Sequence, residues 1–303
     1  MKKYLVTGGA GFIGSHIVDR LVQDGNQVIV VDNFCSGKQE NLNPKAKVFN
    51  LDISDSANKE KITSLMSDCA GVFHLAALAR VQPSIEDPVA FNKANVDGTL
   101  NILICAKNAG IKRVVYSASS SAYGEACIFP TPENHPTDPL SPYGLQKLIG
   151  EQYCKVFYHC YGLETVSLRY FNIYGERQSL NGAYCLVMGI FANQRINNNP
   201  LTIVGDGEQR RDFTYVGDAV EANILAMNSK NVGSGESINI GNGNNRSVNE
   251  IADLIGGDKI YLEKRLEPQK TLADNSKAKK LLNWEPTTLV EDWIPKYKKQ
   301  LGI

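Results

Sequence analysis

The sequence has no hydrophobic run that reaches the ~20 residues a membrane helix requires. It also has no net charge, with 32 Lys and Arg against 32 Asp and Glu. Such a chain has no broad field to attract nucleic acid or anionic lipid, so any anion site must be built locally. The seven cysteines are odd in number and form no CxxC pair. Cys35, Cys69, Cys105, Cys127, Cys154, Cys160 and Cys185 are therefore expected as reduced thiols of a cytoplasmic protein, not as a disulfide framework or zinc site. Histidines are scarce too. His16, His135 and His159 lack metal-ligand spacing, His74 reads as a satisfied core histidine, and no metal is expected. Met1–Val6 runs directly into a glycine cluster, which predicts no cleavable leader. No internal repeat or low-complexity tract breaks the chain.

What is there is a succession of short apolar runs and helix-like stretches. Strands are expected at Lys3–Val6, Val28–Val31, Lys47–Asn50, Gly71–Leu75, Arg113–Ser117 and Leu163–Arg169. Helices are expected at Ile13–Asp24, Asn92–Asn108 and Val216–Met227. Near-continuous apolar strands separated by helices imply an α/β fold, a Rossmann-like doubly wound parallel sheet covered on both faces. Beyond Asn172 the texture changes, with Gly, Asn and Pro frequent, as in Asn197-Asn198-Asn199-Pro200. The expected organisation is a dinucleotide-binding domain over residues 1–171, joined again by 215–240. A smaller substrate-binding lobe is expected from 172–214 and 241–303.

Thr7-Gly8-Gly9-Ala10-Gly11-Phe12-Ile13-Gly14 follows the first strand and opens the first helix. A glycine loop there lets backbone N–H groups approach a pyrophosphate, and the helix N-terminus favours its charge. Asp32 ends the second strand ~20 residues further on, where a carboxylate accepts hydrogen bonds from the adenosine ribose and repels a 2′-phosphate. That pattern favours NAD over NADP. Asp52-Ile53 follows the third strand, where an Asp meets the adenine amino group. Leu75-Ala76-Ala77 leaves the fourth strand with small residues that suit a flat cofactor.

A second constellation lies downstream. Tyr143 and Lys147 are four residues apart and share a helix face. A phenol ionises near pH ~10, and a neighbouring ammonium favours the phenolate. The phenolate is then a base for a substrate hydroxyl. Ser117-Ala118-Ser119-Ser120-Ser121 ends the fifth strand, at the sheet edge where ligands bind.

These motifs resemble the extended short-chain dehydrogenase/reductase family, and within it the NAD-dependent UDP-sugar 4-epimerases. TGGAGFIGSH (Thr7–His16), VDNF (Val31–Phe34), HLAA (His74–Ala77), NVDGT (Asn95–Thr99), SSSAYG (Ser119–Gly124) and SPYGLQK (Ser141–Lys147) carry the resemblance. RYFNIYG (Arg169–Gly175), GDGEQRRDF (Gly205–Phe213) and ADNSKAKKLLNW (Ala273–Trp284) continue it almost to the end of the chain. The resemblance implies that Tyr143 is the base, Lys147 its partner on the nicotinamide ribose, and Ser119 the assisting hydroxyl. It implies pyrophosphate contacts from Phe12 and Ile13 beside Gly8, Gly11 and Gly14. Asn33, Phe34, Ser36, Gly37, Asn95 and Phe171 join the cofactor set. Asn172 is implied for the sugar nucleotide, and Arg211 and Arg265 for the diphosphate. Arg265 is the weaker match, because Leu266-Glu267-Pro268-Gln269 replaces the Gly-Asp step of the family. Small Thr271 implies room for an N-acetyl group. A homodimer through paired helices is also implied.

The same superfamily holds NDP-sugar dehydratases and UDP-glucuronate decarboxylases. Dehydratases carry an Asp-Glu pair after the strand-end hydroxyl, and Ser120-Ser121 stands there here. A non-catalytic NAD-binding protein would have no need for Tyr143, Lys147 and Ser119 together. A uronic acid substrate stays open.

Overall fold

The computed structural model describes residues 1–180, 185–264 and 267–303. The first half alternates strand and helix. It runs β1 (Lys3–Thr7), α1 (Phe12–Gln23), β2 (Gln27–Asp32), β3 (Lys47–Asn50), α2 (Lys59–Met66) and β4 (Gly71–His74). Two short helices, α3 (Val81–Glu86) and α4 (Pro88–Asn92), precede α5 (Gly98–Asn108), β5 (Arg113–Ser119), α6 (Pro142–Tyr161) and β6 (Glu164–Tyr170). The expected helix Asn92–Asn108 is not continuous. A π-helical turn, Lys93–Asp97, separates α4 from α5.

After β6 the chain makes β7 (Ile173–Tyr174), α7 (Val187–Ile196), β8 (Leu201–Val204), β9 (Arg210–Asp212), β10 (Thr214–Tyr215) and α8 (Val216–Asn228). Then come β11 (Ser234–Ile240), β12 (Asn245–Ser247), α9 (Val248–Ile255), β13 (Lys259–Leu262), α10 (Ser276–Leu282) and α11 (Val290–Leu301). Among the described residues seven strands form one sheet in the order β11-β6-β5-β4-β1-β2-β3, every pair parallel. This is the Rossmann-like doubly wound sheet. The order reverses between β4 and β1, and at such a switch point a crevice opens beyond the strand ends.

Alternation along each strand divides the core. Tyr4, Val6, Val28, Val30, Phe73 and Val115 face Ile17, Val18 and Leu21 of α1 and Val216, Ala219 and Ala222 of α8. Leu5, Ile29, Val31, Val72 and Val114 face Ile62 and Met66 of α2, Ile102 and Leu103 of α5, and Cys154 and Phe157 of α6. A third core joins α7, α9 and α11 around Phe191, Ile251 and Trp293. Ala278, Leu282 and Trp284, assigned by sequence to the smaller lobe, pack instead into the α1–α8 layer. The Trp284 indole N–H donates to the Asp218 carbonyl of α8 over 2.8 Å, which fixes that docking.

Candidate active site

A cleft of ≈ 1110 Å³ opens beyond the C-terminal ends of β1, β2, β4, β5 and β6. At one end lies the glycine loop. Gly8 has φ +71° and passes so close to Leu75-Ala76 that a Cβ would sit 2.7 Å from the Ala76 nitrogen. A Cβ on Gly14 would collide with the Gly8 carbonyl oxygen. The loop therefore tolerates no side chain at either position, and its backbone forms the cleft floor. No side chain caps α1, and its first turn carries no acidic residue. Its first amides are free to meet an anion where Gly11, Phe12, Ile13 and Gly14 line the cleft. These features fit a dinucleotide pyrophosphate.

Asp32 is 7% exposed, and its carboxylate spans two segments. It accepts from the Ala10 amide at 2.9 Å and from the Phe34 amide at 2.8 Å. It thus braces the glycine loop and still lines the cleft together with Asn33 and Ser36. Asp52 and Ile53 line the same end, as do Leu75, Ala76 and Ala77. Burial opposes the Asp52 charge, but hydrogen bonds from Ser54 and Asn33 outweigh it and leave the pKa below its ordinary value.

Four residues implied for the cofactor do not reach the cleft wall. Phe34 and Gly37 are set back from it, with Gly37 packed so tightly on Asp32 that a Cβ would lie 2.9 Å from the carboxylate. Phe171 is buried with Tyr123 and Ala273 behind Asn172. Asn95, in the π turn, clamps Leu78 instead. Its side-chain oxygen accepts from the Leu78 amide at 2.8 Å, and its nitrogen donates to the Leu78 carbonyl at 2.9 Å. The same nitrogen donates to Gln146 of α6 at 3.0 Å.

His74 is 1% exposed between two threonines. Thr99 Oγ1 donates to the Asn95 carbonyl at 2.6 Å, so it must accept from His74 Nε2, 3.0 Å away. Nδ1 then accepts from Thr7 Oγ1 at 2.7 Å. Burial, with the Lys147 charge adding to it, pushes this imidazole down to about 3. It is a neutral structural residue, as expected.

At the other end, α6 delivers the phenol. Ser141 caps the helix, its Oγ accepting from the Gly144 amide at 3.1 Å, and Pro142 occupies the first turn. Tyr143 follows, its amide donating to Ser84 Oγ of α3 at 3.1 Å. Its side chain lines the cleft together with Ser119, the last residue of β5. Ser119 Oγ also accepts from the Ser121 amide at 3.1 Å and meets Ser121 Oγ at 3.0 Å.

Lys147, one turn along, is 3% exposed. It donates to the Ser117 carbonyl at 2.7 Å and lies 5.1 Å from the centre of the Tyr116 ring. Burial pushes its pKa down to about 8. The phenol is not acidified in this state. Burial raises its pKa, while the Ser119 hydroxyl and the Arg80 charge oppose that.

The far wall carries Asn172, Arg211 and Thr271. Asn172 has φ +34° and donates to the Asp212 carbonyl at 3.0 Å and to Thr271 Oγ1 at 3.3 Å. Arg211 donates to Glu267 at 2.6 Å, and burial lowers its pKa against that partner. Arg265 lies outside the described residues. Sequence reasoning missed Arg80 and Glu267 on the wall, and Ser84 and Gln146 behind it. Only the run His74–Ser84, dense in small residues after a strand end, hinted at the first. Among the described residues no group of His, Cys, Asp and Glu could hold a metal ion.

A switch-point cleft with an anion cradle and a Ser–Tyr–Lys cluster on its wall defines a dinucleotide-dependent α/β enzyme. The sequence matches the model of the NAD dependent epimerase/dehydratase family over residues 4–241, and the chain belongs to that family. A putative UDP-glucose 4-epimerase of Methanocaldococcus jannaschii is 44% identical over 298 residues, which covers 96% of this chain and 95% of the relative. The UDP-glucose 4-epimerase of Thermotoga maritima, solved with UDP-glucose, is 39% identical with a TM-score of 0.93, covering 99% of both chains. A UDP-N-acetylglucosamine 4-epimerase of Methanobrevibacter ruminantium, solved with UDP-N-acetylmuramic acid, is 39% identical. Its TM-score is 0.89, with 99% of this chain and 96% of that one covered.

Proposed function

We propose that the chain inverts the configuration at C4 of a UDP-hexose, with Tyr143 as the base and NAD held on the glycine loop. The observation that carries this is that Ser119, Tyr143 and Lys147 line the same cleft as the Gly8–Gly14 cradle and Arg211. NAD supplies the hydride acceptor and donor at C4. The protein supplies the proton chemistry. Tyr143 takes the proton of the 4-hydroxyl as the 4-keto sugar forms, and returns it as the inverted alcohol forms. Ser119 orients that oxygen. Lys147, fixed on Ser117, presents its ammonium to the cofactor ribose.

Arg211 binds the diphosphate through its fork of donors, exchanging Glu267 for phosphate oxygens. Asn172 contacts the sugar nucleotide. Firm hold on the diphosphate with a loosely held sugar lets the keto sugar turn its other face. Thr271 leaves room for an acetamido group, so both UDP-glucose/galactose and their N-acetyl counterparts fit this site. Incubation of the purified protein with UDP-galactose and UDP-GalNAc, and resolution of the sugars, tests the reading. Conversion of either supports it, and failure of both with NAD added refutes it for these substrates.

We also read the chain as a cytoplasmic homodimer. None of the described helices is long and apolar enough to cross a membrane. Leu145 and Val156 of α6 are exposed apolar residues about three turns apart on one helix face, where a second helix could pack. A light-scattering mass near twice 33.3 kDa is expected.

A further inference from the structure

We propose that Asp19 is a clasp that keeps the cofactor in the cleft, by tying together two loops that flank the glycine loop. The inference rests on the reading of NAD held on that glycine loop, and Asp19 acts in it as a positioning residue. Asp19 stands on α1, and each of its carboxylate oxygens holds a different segment. Oδ1 accepts from the Asn43 side-chain nitrogen at 2.7 Å. Oδ2 pairs with the Arg177 guanidinium at 2.7 Å. Asn43 belongs to the loop after β2, and Arg177 to the loop after β7. One carboxylate thus joins two segments that are far apart in the sequence.

Both segments reach the cleft, while Asp19 stands behind its wall. Ser36, Lys38 and Asn41 line it from the first loop, Arg177 and Gln178 from the second. The first loop is seated on the glycine loop. The Lys38 amide at 2.9 Å and the Asn41 side chain at 3.1 Å both donate to the Ala10 carbonyl. The second is anchored through Glu176. The Glu176 carbonyl accepts from His16 Nε2 of α1 at 2.8 Å. The Glu176 carboxylate accepts from Trp293 Nε1 of α11 at 2.8 Å and from the Tyr215 hydroxyl at 2.9 Å. Arg177 follows with φ +63°, a left-handed backbone that a residue with a Cβ rarely adopts and that persists where the surroundings hold it.

The reaction needs such a tie. A cofactor that escaped between the two hydride steps would strand a keto sugar, so release must be slow against turnover. Release requires the two loops to part, and both bonds on Asp19 oppose that. The ion pair is partly exposed on either side, which makes it a modest and reversible tie. That strength suits a clasp that has to open once for loading.

The test loads the purified full chain with NADH and follows the emission of the bound NADH during a chase with excess NAD. Asp19→Ala should release NADH about tenfold faster, because two bonds are lost, and Arg177→Met about threefold faster. Alanine is a better helix former than aspartate, so faster release would not reflect a weakened α1. Asp19→Glu keeps the carboxylate and should retain most of the hold. Arg177→Met added to Asp19→Ala should speed release no further, since both break the same contact. KM for UDP-galactose, measured with NAD in excess, should not move. Release at the parent rate in Asp19→Ala would overturn the proposal. So would a further gain in the double variant, which would make Arg177 a direct cofactor ligand. A parent that holds no NADH would overturn the cofactor reading and the clasp with it. A parent that holds NADH yet leaves UDP-galactose unconverted would overturn the C4 reading alone, and the release rates would still decide the clasp. Asp19→Asn carries the comparison if the alanine variant does not fold.

Discussion

The ammonium of Lys147 donates to the backbone carbonyl of Ser117 over 2.7 Å, at the C-terminal edge of β5. This bond consumes one of three donors and fixes the direction of the rest. On the proposed function, a lysine held this way would meet the ribose hydroxyls of NAD from a defined point. Lys147→Met should therefore lower kcat about 100-fold and weaken NAD binding, with far-UV circular dichroism unchanged. Lys147→Arg should not rescue it, because a planar fork does not replace a buried ammonium. Titration of cofactor-stripped protein with NAD, beside steady-state rates, checks both.

Asp32 closes the glycine loop from the far strand, accepting one amide on each carboxylate oxygen. Asp32→Ala leaves the Ala10 and Phe34 amides without these acceptors, at about 1–3 kcal/mol for each buried group left unpaired. NAD affinity should fall at least tenfold, and the melting temperature should drop as well. A variant that binds NAD as tightly as the parent would exclude the bracing role.

His74 makes stability depend on acid. Its folded pKa of about 3 lies below the ordinary 6.5, so the unfolded chain takes up a proton first as pH falls. Its contribution is complete above pH ~6.5 and declines below it, by up to about 1.4 kcal/mol per pH unit until pH ~3. His74→Gln should be less stable at neutral pH yet show a shallower loss between pH ~6.5 and ~4. Denaturant melts of both proteins across that range supply the comparison, and parallel slopes would contradict the burial argument.

Thr271 is small, and its hydroxyl already accepts the Asp212 amide at 3.1 Å and the Asn172 side chain at 3.3 Å. Thr271→Tyr adds bulk beside Asn172. Turnover of UDP-GalNAc should fall about 100-fold, and that of UDP-galactose much less. Equal losses on both sugars would mean that the substitution disturbs Asn172 rather than the space around it.

Local patterns made much of this legible. Apolar runs flanked by helices located β1 to β6, because a strand covered on both faces reads as unbroken hydrophobicity. The Ser119, Tyr143 and Lys147 cluster was legible because Ser119 ends β5, Tyr143 opens α6 and Lys147 follows one helical turn on. Arg80 was not, since its place depends on a clamp between Leu78 and Asn95 and on a bond from Ser84 to α6. The bonds of Asn95 to Leu78 and Gln146 were equally hidden. The π turn that aims Asn95 at Leu78 is invisible to helical periodicity. Glu267 found Arg211 across a span of sequence that no spacing rule covers.

On the proposed function a hydride leaves C4 and comes back to it within one bound complex, while Tyr143 handles the proton. UDP-galactose deuterated at C4, turned over in ordinary water, tests this directly. The expected product is UDP-glucose that keeps its deuterium at C4, with no turnover in Tyr143→Phe. Product that has exchanged its label for solvent hydrogen would contradict it, because inversion would then proceed by loss of a proton from carbon.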